Sequence, residues 1–281
     1  MSLTSVVKLL RPSHWIKNIL LFAPPFFGGS IFSAGVLKSS LPAFISFSFA
    51  ASAIYIFNDI HDREADKNHP IKQRRPIASG EISAGASLIF SCILITLSIL
   101  FSLFINTSFA YYIFSYLGLN ILYTLRLRFL PIFDIFSISA GFIIRVMAGG
   151  EAFKVEVSNW LFLSVLFISI LLASGKRLSE MSALKSNAHL HRKVLGEYPD
   201  GFLESLLWLT GAASLISYSL YTIEKGEDLF YTVILSAFGL IRYLYIVKMG
   251  KGEPVDAILG DRVLLTTIAL WVITVGYLRY A

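Results

Sequence analysis

The chain has 281 residues, 56% hydrophobic and 15% charged, with a net charge of +6 and a single cysteine. Soluble domains carry about a quarter charged residues, so this composition excludes an ordinary soluble enzyme and points to a bilayer protein. Cys92 alone excludes an intramolecular disulfide and a cysteine-clustered metal site, and the basic excess reads first as a topology signal, so no nucleic-acid partner is expected.

Nine stretches have the length and apolarity of a membrane crossing: about 15–34, 40–59, 84–105, 108–128, 131–150, 157–174, 201–222, 228–248 and 260–280. No small-residue cleavage site follows a short apolar segment near the N-terminus, so no removable signal is expected. The opening RPSHWIKN places Arg11, His14, Trp15, Lys17 and Asn18 at a membrane boundary. Trp15 suits an interfacial anchor, and the bases suit lipid head groups or one anionic lipid phosphate. Pro24-Pro25 and Gly28-Gly29 predict a broken helix in the first span.

The second span runs into FNDIHDREADKNHPIKQRRPIASG. If its helix continues past the membrane edge, Asp59, Asp62 and Asp66 fall at i, i+3 and i+7 on one face. Asn58 then lies beside Asp62, while Glu64 and His61 point elsewhere. Aligned like charges repel unless a cation compensates. Two readings stay open: a solvated helix end neutralised by Arg63 and Lys67, or an all-oxygen site for Mg2+ completed by water and substrate phosphate. Downstream, Lys72, Arg74 and Arg75 offer donors to an anion, the arginines bidentately, or simply follow cytoplasmic charge bias.

Tyr123, ahead of Arg126 and Arg128, suits a phosphate contact or an aromatic belt. In span five, DIFSISAGFIIRVMAGG, the residues Asp134, Ile138, Gly141 and Arg145 share one face. Arg145 lies well inside the span, where an arginine is a functional candidate or else pairs with an acid on another helix. Span six ends in ASGKRLSEM, with Lys176 and Glu180 at helical spacing beside Arg177. GEPVDAILGDR later supplies Glu253, Asp256, Asp261 and Arg262, for loop capping or for catalysis.

Bases concentrate on alternate connections: Lys8, Arg11 and Lys17; Arg63 to Arg75; Arg126 and Arg128; Lys176, Arg177, Lys185, Arg192 and Lys193; Lys248 and Lys251. The opposite set holds Lys38, Lys154, Lys225 and Arg279. This predicts a cytoplasmic N-terminus and cytoplasmic long loops, with the C-terminus outside. No linker divides the chain, so residues 1–281 are expected to form a single membrane domain.

NDIHDREAD resembles the NDxxDxxxD motif of the UbiA superfamily of membrane prenyltransferases. RPSHWIKN, the extended acidic motif through IASG, FDIFSISAGFIIRVMAGG, SGKRLSE and GEPVDAILGDR are together similar, in the same order, to its decaprenyl-phosphate phosphoribosyltransferase branch. The resemblance spans nearly the whole chain. It implies an all-α bundle of nine transmembrane helices under cytoplasmic cap loops, in a bacterial inner membrane. It implies Mg2+-dependent transfer of 5-phosphoribosyl from phosphoribosyl diphosphate to a polyprenyl phosphate. Asp59, Asp62 and Asp66 would be the catalytic metal ligands, assisted by Asn58. Lys17, Asn18, Lys72, Arg74, Arg75, Tyr123, Arg145, Lys176 and Arg177 would bind substrate.

Aromatic prenyltransferases of the superfamily usually carry a second DxxxD motif after span six, where this chain has GKRLSE. A basic pair there suits a donor with an additional phosphate. The lipid phosphate is already anionic near neutral pH, so no general base is required. An aromatic prenyltransferase and a transporter are the alternatives, and acids gathered at one membrane edge argue against transport. A homo-oligomer is compatible with the sequence.

Overall fold

A computed structural model describes residues 3–184 and 193–281; Lys185 and Arg192 lie outside them. Among the described residues every regular element is helical. Seven helices are long and apolar enough to cross a membrane. The chain divides into two compact units, Met1–Leu125 with Ile144–Glu156, and Arg126–Ile143 with Val157–Ala281.

The first unit holds α1 (Leu3–Leu10), α2 (Ala23–Phe27), α3 (Ala34–His61), α4 (Arg63–Lys67), α5 (Ala84–Leu103) and α6 (Thr107–Leu125), and the second half of α7 (Phe133–Phe153). The predicted first span is indeed broken. A 3-10 helix, Pro12–Phe22, leads into α2, which begins at Ala23 just before Pro24-Pro25 and ends at Gly28. Proline is tolerated there because the first turn has no partner for its missing N–H. The predicted fourth span forms α6 but is not among the seven apolar helices, because Ser, Asn, Thr and Tyr side chains dilute it.

Helix α3 is the spine of this unit. Ser33 caps its start by accepting from Val36 N–H. Phe47, Ala50, Ala51 and Ile54 bury against Phe109, Ile113 and Tyr116 of α6 and against Leu21. Small residues let helices approach, and serines tie them in an apolar setting. Ser46 Oγ donates to Ser98 O at 2.8 Å, and Ser98 Oγ returns a bond to Ser46 O at 2.7 Å. A side chain at Gly149 of α7 would meet the Leu21 carbonyl at 2.0 Å, so only glycine admits the 3-10 segment here.

The second unit holds the start of α7, α8 (Asn159–Leu184), α9 (Phe202–Lys225), α10 (Thr232–Lys248), α11 (Pro254–Gly260) and α12 (Arg262–Tyr280). Leu171, Leu207, Leu244, Val247 and Leu264 form one core, and Ile135, Ile170, Ala173, Val194 and Leu203 another. Helix α8 outruns the predicted span and carries GKRLSE within its last turns. Part of GEPVDAILGDR, read from sequence as loop, is the short helix α11.

Candidate active site

In the first unit the acidic motif begins where α3 ends. The backbone at Asp62 leaves helical geometry (φ −90°, ψ 3°), and α4 resumes one residue later. Asp62 N–H still bonds Asn58 O, and Asp66 N–H bonds Asp62 O, so the helical register nearly survives the break. Asp59 and Asp66 therefore keep the common face that the spacing predicts. Both are buried, at 3% exposure.

Two arginines neutralise this pair. Arg75 Nη1 lies 3.0 Å from Asp59 Oδ1 and 2.6 Å from Asp66 Oδ2. Arg11 Nη2 reaches both oxygens of Asp59, at 2.5 and 2.7 Å. Arg75 can do this because Pro76 follows it. The proline ring disfavours the helical region for its predecessor, so Arg75 turns extended (φ −68°, ψ 142°) and leaves the 3-10 turn Lys72–Arg74. The expected neutralisation by Arg63 and Lys67 is not what forms. Lys67 instead bonds Glu64 at 2.8 Å on the exposed side, and that bond holds the Glu64 carboxyl below its ordinary range.

The flanking expectations divide. Asn58 accepts a hydrogen bond from Thr124, a fully buried α6 residue with no sequence signal. Tyr123, one residue earlier, is half-buried. Lys72 and Arg74 are exposed. Lys17 is half-buried, whereas Asn18 is fully buried and bonds Ser48 Oγ at 3.1 Å. Asn18 Oδ1 accepts from Arg145 Nε at 2.9 Å, and Arg145 Nη2 donates to Tyr116 OH at 3.0 Å. The Arg145 guanidinium also lies 4.7 Å from the Tyr116 ring centre. The buried arginine thus meets neutral dipoles and a π face.

The second unit has its own charged cluster. Arg177, expected to meet a phosphate, lies at 1% exposure with Nε 2.7 Å from Asp134 Oδ2. Its Nη1 bonds Glu180 at 3.0 Å. Tyr198 OH donates to Asp134 and accepts from Ile132 N–H at 2.8 Å. Burial and then the Asp134 bond push the Tyr198 phenol upward. That clamp holds Ile132 at φ +69°, a conformation a β-branched residue rarely adopts. Arg177, expected from the sequence to bind substrate, is here an internal tie, since a carboxylate at zero exposure demands a cation. Lys176 pairs with Glu253 at 2.5 Å and stays 37% exposed. Beside it Gly252 N–H donates to Ser179 Oγ at 2.7 Å, and a side chain on Gly252 would strike that oxygen at 2.3 Å. Asp261 caps α12 through Leu264 N–H and pairs with Arg242, which holds its carboxyl low.

Among the described residues no group of three His, Cys, Asp or Glu side chains converges as a metal cage. The donor chemistry of the first unit nevertheless fits Mg2+. Two carboxylates already share one cationic partner, both offer hard oxygens, and Mg2+ commonly takes only one or two carboxylates with water and phosphate completing its octahedron.

The UbiA prenyltransferase family matches residues 22–196. The decaprenyl-phosphate phosphoribosyltransferase of Mycobacterium tuberculosis is 33% identical over 280 residues, covering 96% of this chain and 93% of that protein. Its namesake in Corynebacterium glutamicum is 35% identical over 280 residues, covering 95% and 84%. The structure of a UbiA homolog from Archaeoglobus fulgidus bound to GPP and Mg2+ superposes with a TM-score of 0.76 at 19% identity, over 98% of this chain and 99% of that one. At that identity the likeness speaks for the fold.

Proposed function

The chain belongs to the UbiA prenyltransferase family, and from that premise we propose that it transfers 5-phosphoribosyl from phosphoribosyl diphosphate to a polyprenyl phosphate, releasing diphosphate. The observation that carries this reading is likeness over nearly the full chain to enzymes named decaprenyl-phosphate phosphoribosyltransferase. The arginine-bridged Asp59–Asp66 pair is the chemistry such a reaction needs at the leaving group. The protein is an integral transferase domain of a bacterial cytoplasmic membrane, with nine crossings, the acidic motif on the cytoplasmic side, and supply to cell-envelope glycan synthesis.

In the reaction an oxygen of the lipid phosphate attacks C1 of the ribosyl group while the C1–O bond to diphosphate breaks. A single displacement inverts C1. Held by Asp59, Asp62 and Asp66 with Asn58, Mg2+ would neutralise the negative charge that grows on the departing diphosphate. Asn58 is oriented by Thr124, so its amide is fixed before substrate arrives. Arg75 brings Asp59 and Asp66 together and can offer a bidentate fork to a phosphate. The exposed Lys72 and Arg74 attract the polyanionic donor. Lys17 serves the acceptor phosphate, and Arg145 with Asn18 stiffens the segment that carries Lys17. In the second unit Lys176 can exchange Glu253 for a donor phosphate. No general base is assigned, because the acceptor arrives ionised.

The test is purified protein with radiolabelled phosphoribosyl diphosphate and polyprenyl phosphate. Labelled lipid phosphate that requires Mg2+ is expected. A prenylated aromatic acid, with no labelled lipid, would replace this reading with aromatic prenyl transfer.

A further inference from the structure

Arg11 is the side chain that this mechanism leaves without a task, and its backbone is unusual. It adopts a left-handed conformation (φ 51°, ψ 58°) directly before Pro12, at the junction of α1 and the 3-10 helix. A non-glycine residue there is strained and persists only when its surroundings impose it. The imposing contact is the two-oxygen grip on Asp59, 48 positions away. The guanidinium keeps 19% exposure and lies 5.1 Å from the Tyr55 ring centre. Leu10 on one side is fixed by Ser52 Oγ, which bonds its carbonyl at 2.7 Å. On the other side Trp15 Nε1 bonds the same Ser52 oxygen at 3.0 Å.

We propose that Arg11 is a place-holding cation that occupies Asp59 until a metal-bound diphosphate claims the carboxylate, and then leaves it. This rests on the reading of Asp59 as a metal ligand. The charge arithmetic supports it. The two buried acids, Asp59 and Asp66, are balanced by Arg11 and Arg75, so a metal ion arriving alone meets two competing cations there. Arg75 bridges two acids and stays useful after either is taken. Arg11 grips only Asp59 among these acids, carries backbone strain that release relieves, and has the Tyr55 face beside it as a resting place. The exchange thus couples metal arrival to a loosening of the α1–Pro12 junction, and it disfavours metal binding without diphosphate.

Full-length protein in lipid nanodiscs is titrated with Mg2+ alone by calorimetry. Arg11→Gln is expected to bind about tenfold more tightly than wild type, the scale of one charged hydrogen-bonded competitor removed. Equal or weaker affinity overturns the proposal. A second measurement needs no variant: amide exchange across residues 8–16 of the wild type should rise about tenfold on adding Mg2+ with inorganic diphosphate. Unchanged or slower exchange overturns it equally. Mg2+ binding that Asp59→Asn abolishes, but that Arg11→Gln leaves unaltered, overturns the role of Arg11 while the metal reading stands. No Mg2+ binding by either the wild type or Arg11→Gln, with or without inorganic diphosphate, overturns both.

Discussion

Two aspartate–arginine clusters lie near helix ends in this protein, one in each compact unit, and they differ in how they are closed. Around Asp59 and Asp66 the acids are buried but their arginines are not: Arg11 and Arg75 keep 19% and 28% exposure. Around Asp134 both partners are sealed, with Arg177 at 1%, and Tyr198 and Glu180 complete the ring. A partner that still touches water can exchange for a ligand at little desolvation cost. A sealed pair cannot, because separating it strands a charge in a low-dielectric interior. The same residue types are therefore open to exchange in the first unit and closed to it in the second.

The largest expected effect tests the activity half of that contrast. Asp59→Asn should lower turnover at least about 100-fold, the scale of losing one pre-organised electrostatic contact at the leaving group. Its melting temperature should barely move, since both arginines can reach water. Substantial activity with unaltered Mg2+ dependence would remove Asp59 from the site. Arg177→Ala should do the reverse, costing about 3–5 kcal/mol by leaving Asp134 unpaired. Fluorescence-detected chromatography after heating measures this, and wild-type heat resistance would show that Asp134 finds another cation.

Tyr198→Phe should cost about 1–3 kcal/mol, since it leaves Asp134 and Ile132 N–H each one bond short. It also has a pH signature. The folded phenol titrates above its unfolded value of about 10, so its contribution is complete below that pH and fades as pH rises through the folded value. The phenylalanine variant should lose less stability than wild type across that alkaline window, and parallel pH curves would contradict the clamp. Lys176→Ala should be the mildest in stability, within about 1 kcal/mol for an exposed pair. Its effect should fall on KM for phosphoribosyl diphosphate, and a purely structural lysine would leave KM unchanged.

The acidic motif shows how far sequence reading reaches here. Period and spacing put Asp59, Asp62 and Asp66 on one face and turned Glu64 away; the structure brings Asp59 and Asp66 together on Arg75, while Asp62 stands half-buried at the helix break. One of the two readings they left open gave the acids Arg63 and Lys67 as counter-ions, whereas Asp59 and Asp66 meet Arg11 and Arg75, because proximity in sequence is a poor guide to pairing across a helix break. The same limit hid Thr124 behind Asn58 and Tyr198 behind Asp134. Helical spacing set Lys176 near Glu180, while the tertiary structure pairs it with Glu253.

By itself the sequence determined the membrane class, seven of the nine helix spans it drew, the break near Pro24 and the shared face of Asp59 and Asp66. Each of these follows from local length, hydropathy and helical period. Only the tertiary structure decided which arginine meets which acid, which of those arginines stay within reach of water, and that Arg11 is bent into a left-handed turn to hold Asp59. Those choices depend on which helix ends and connections fold together within each unit. A charge in a sequence carries a sign but no address, and burial assigns its partner.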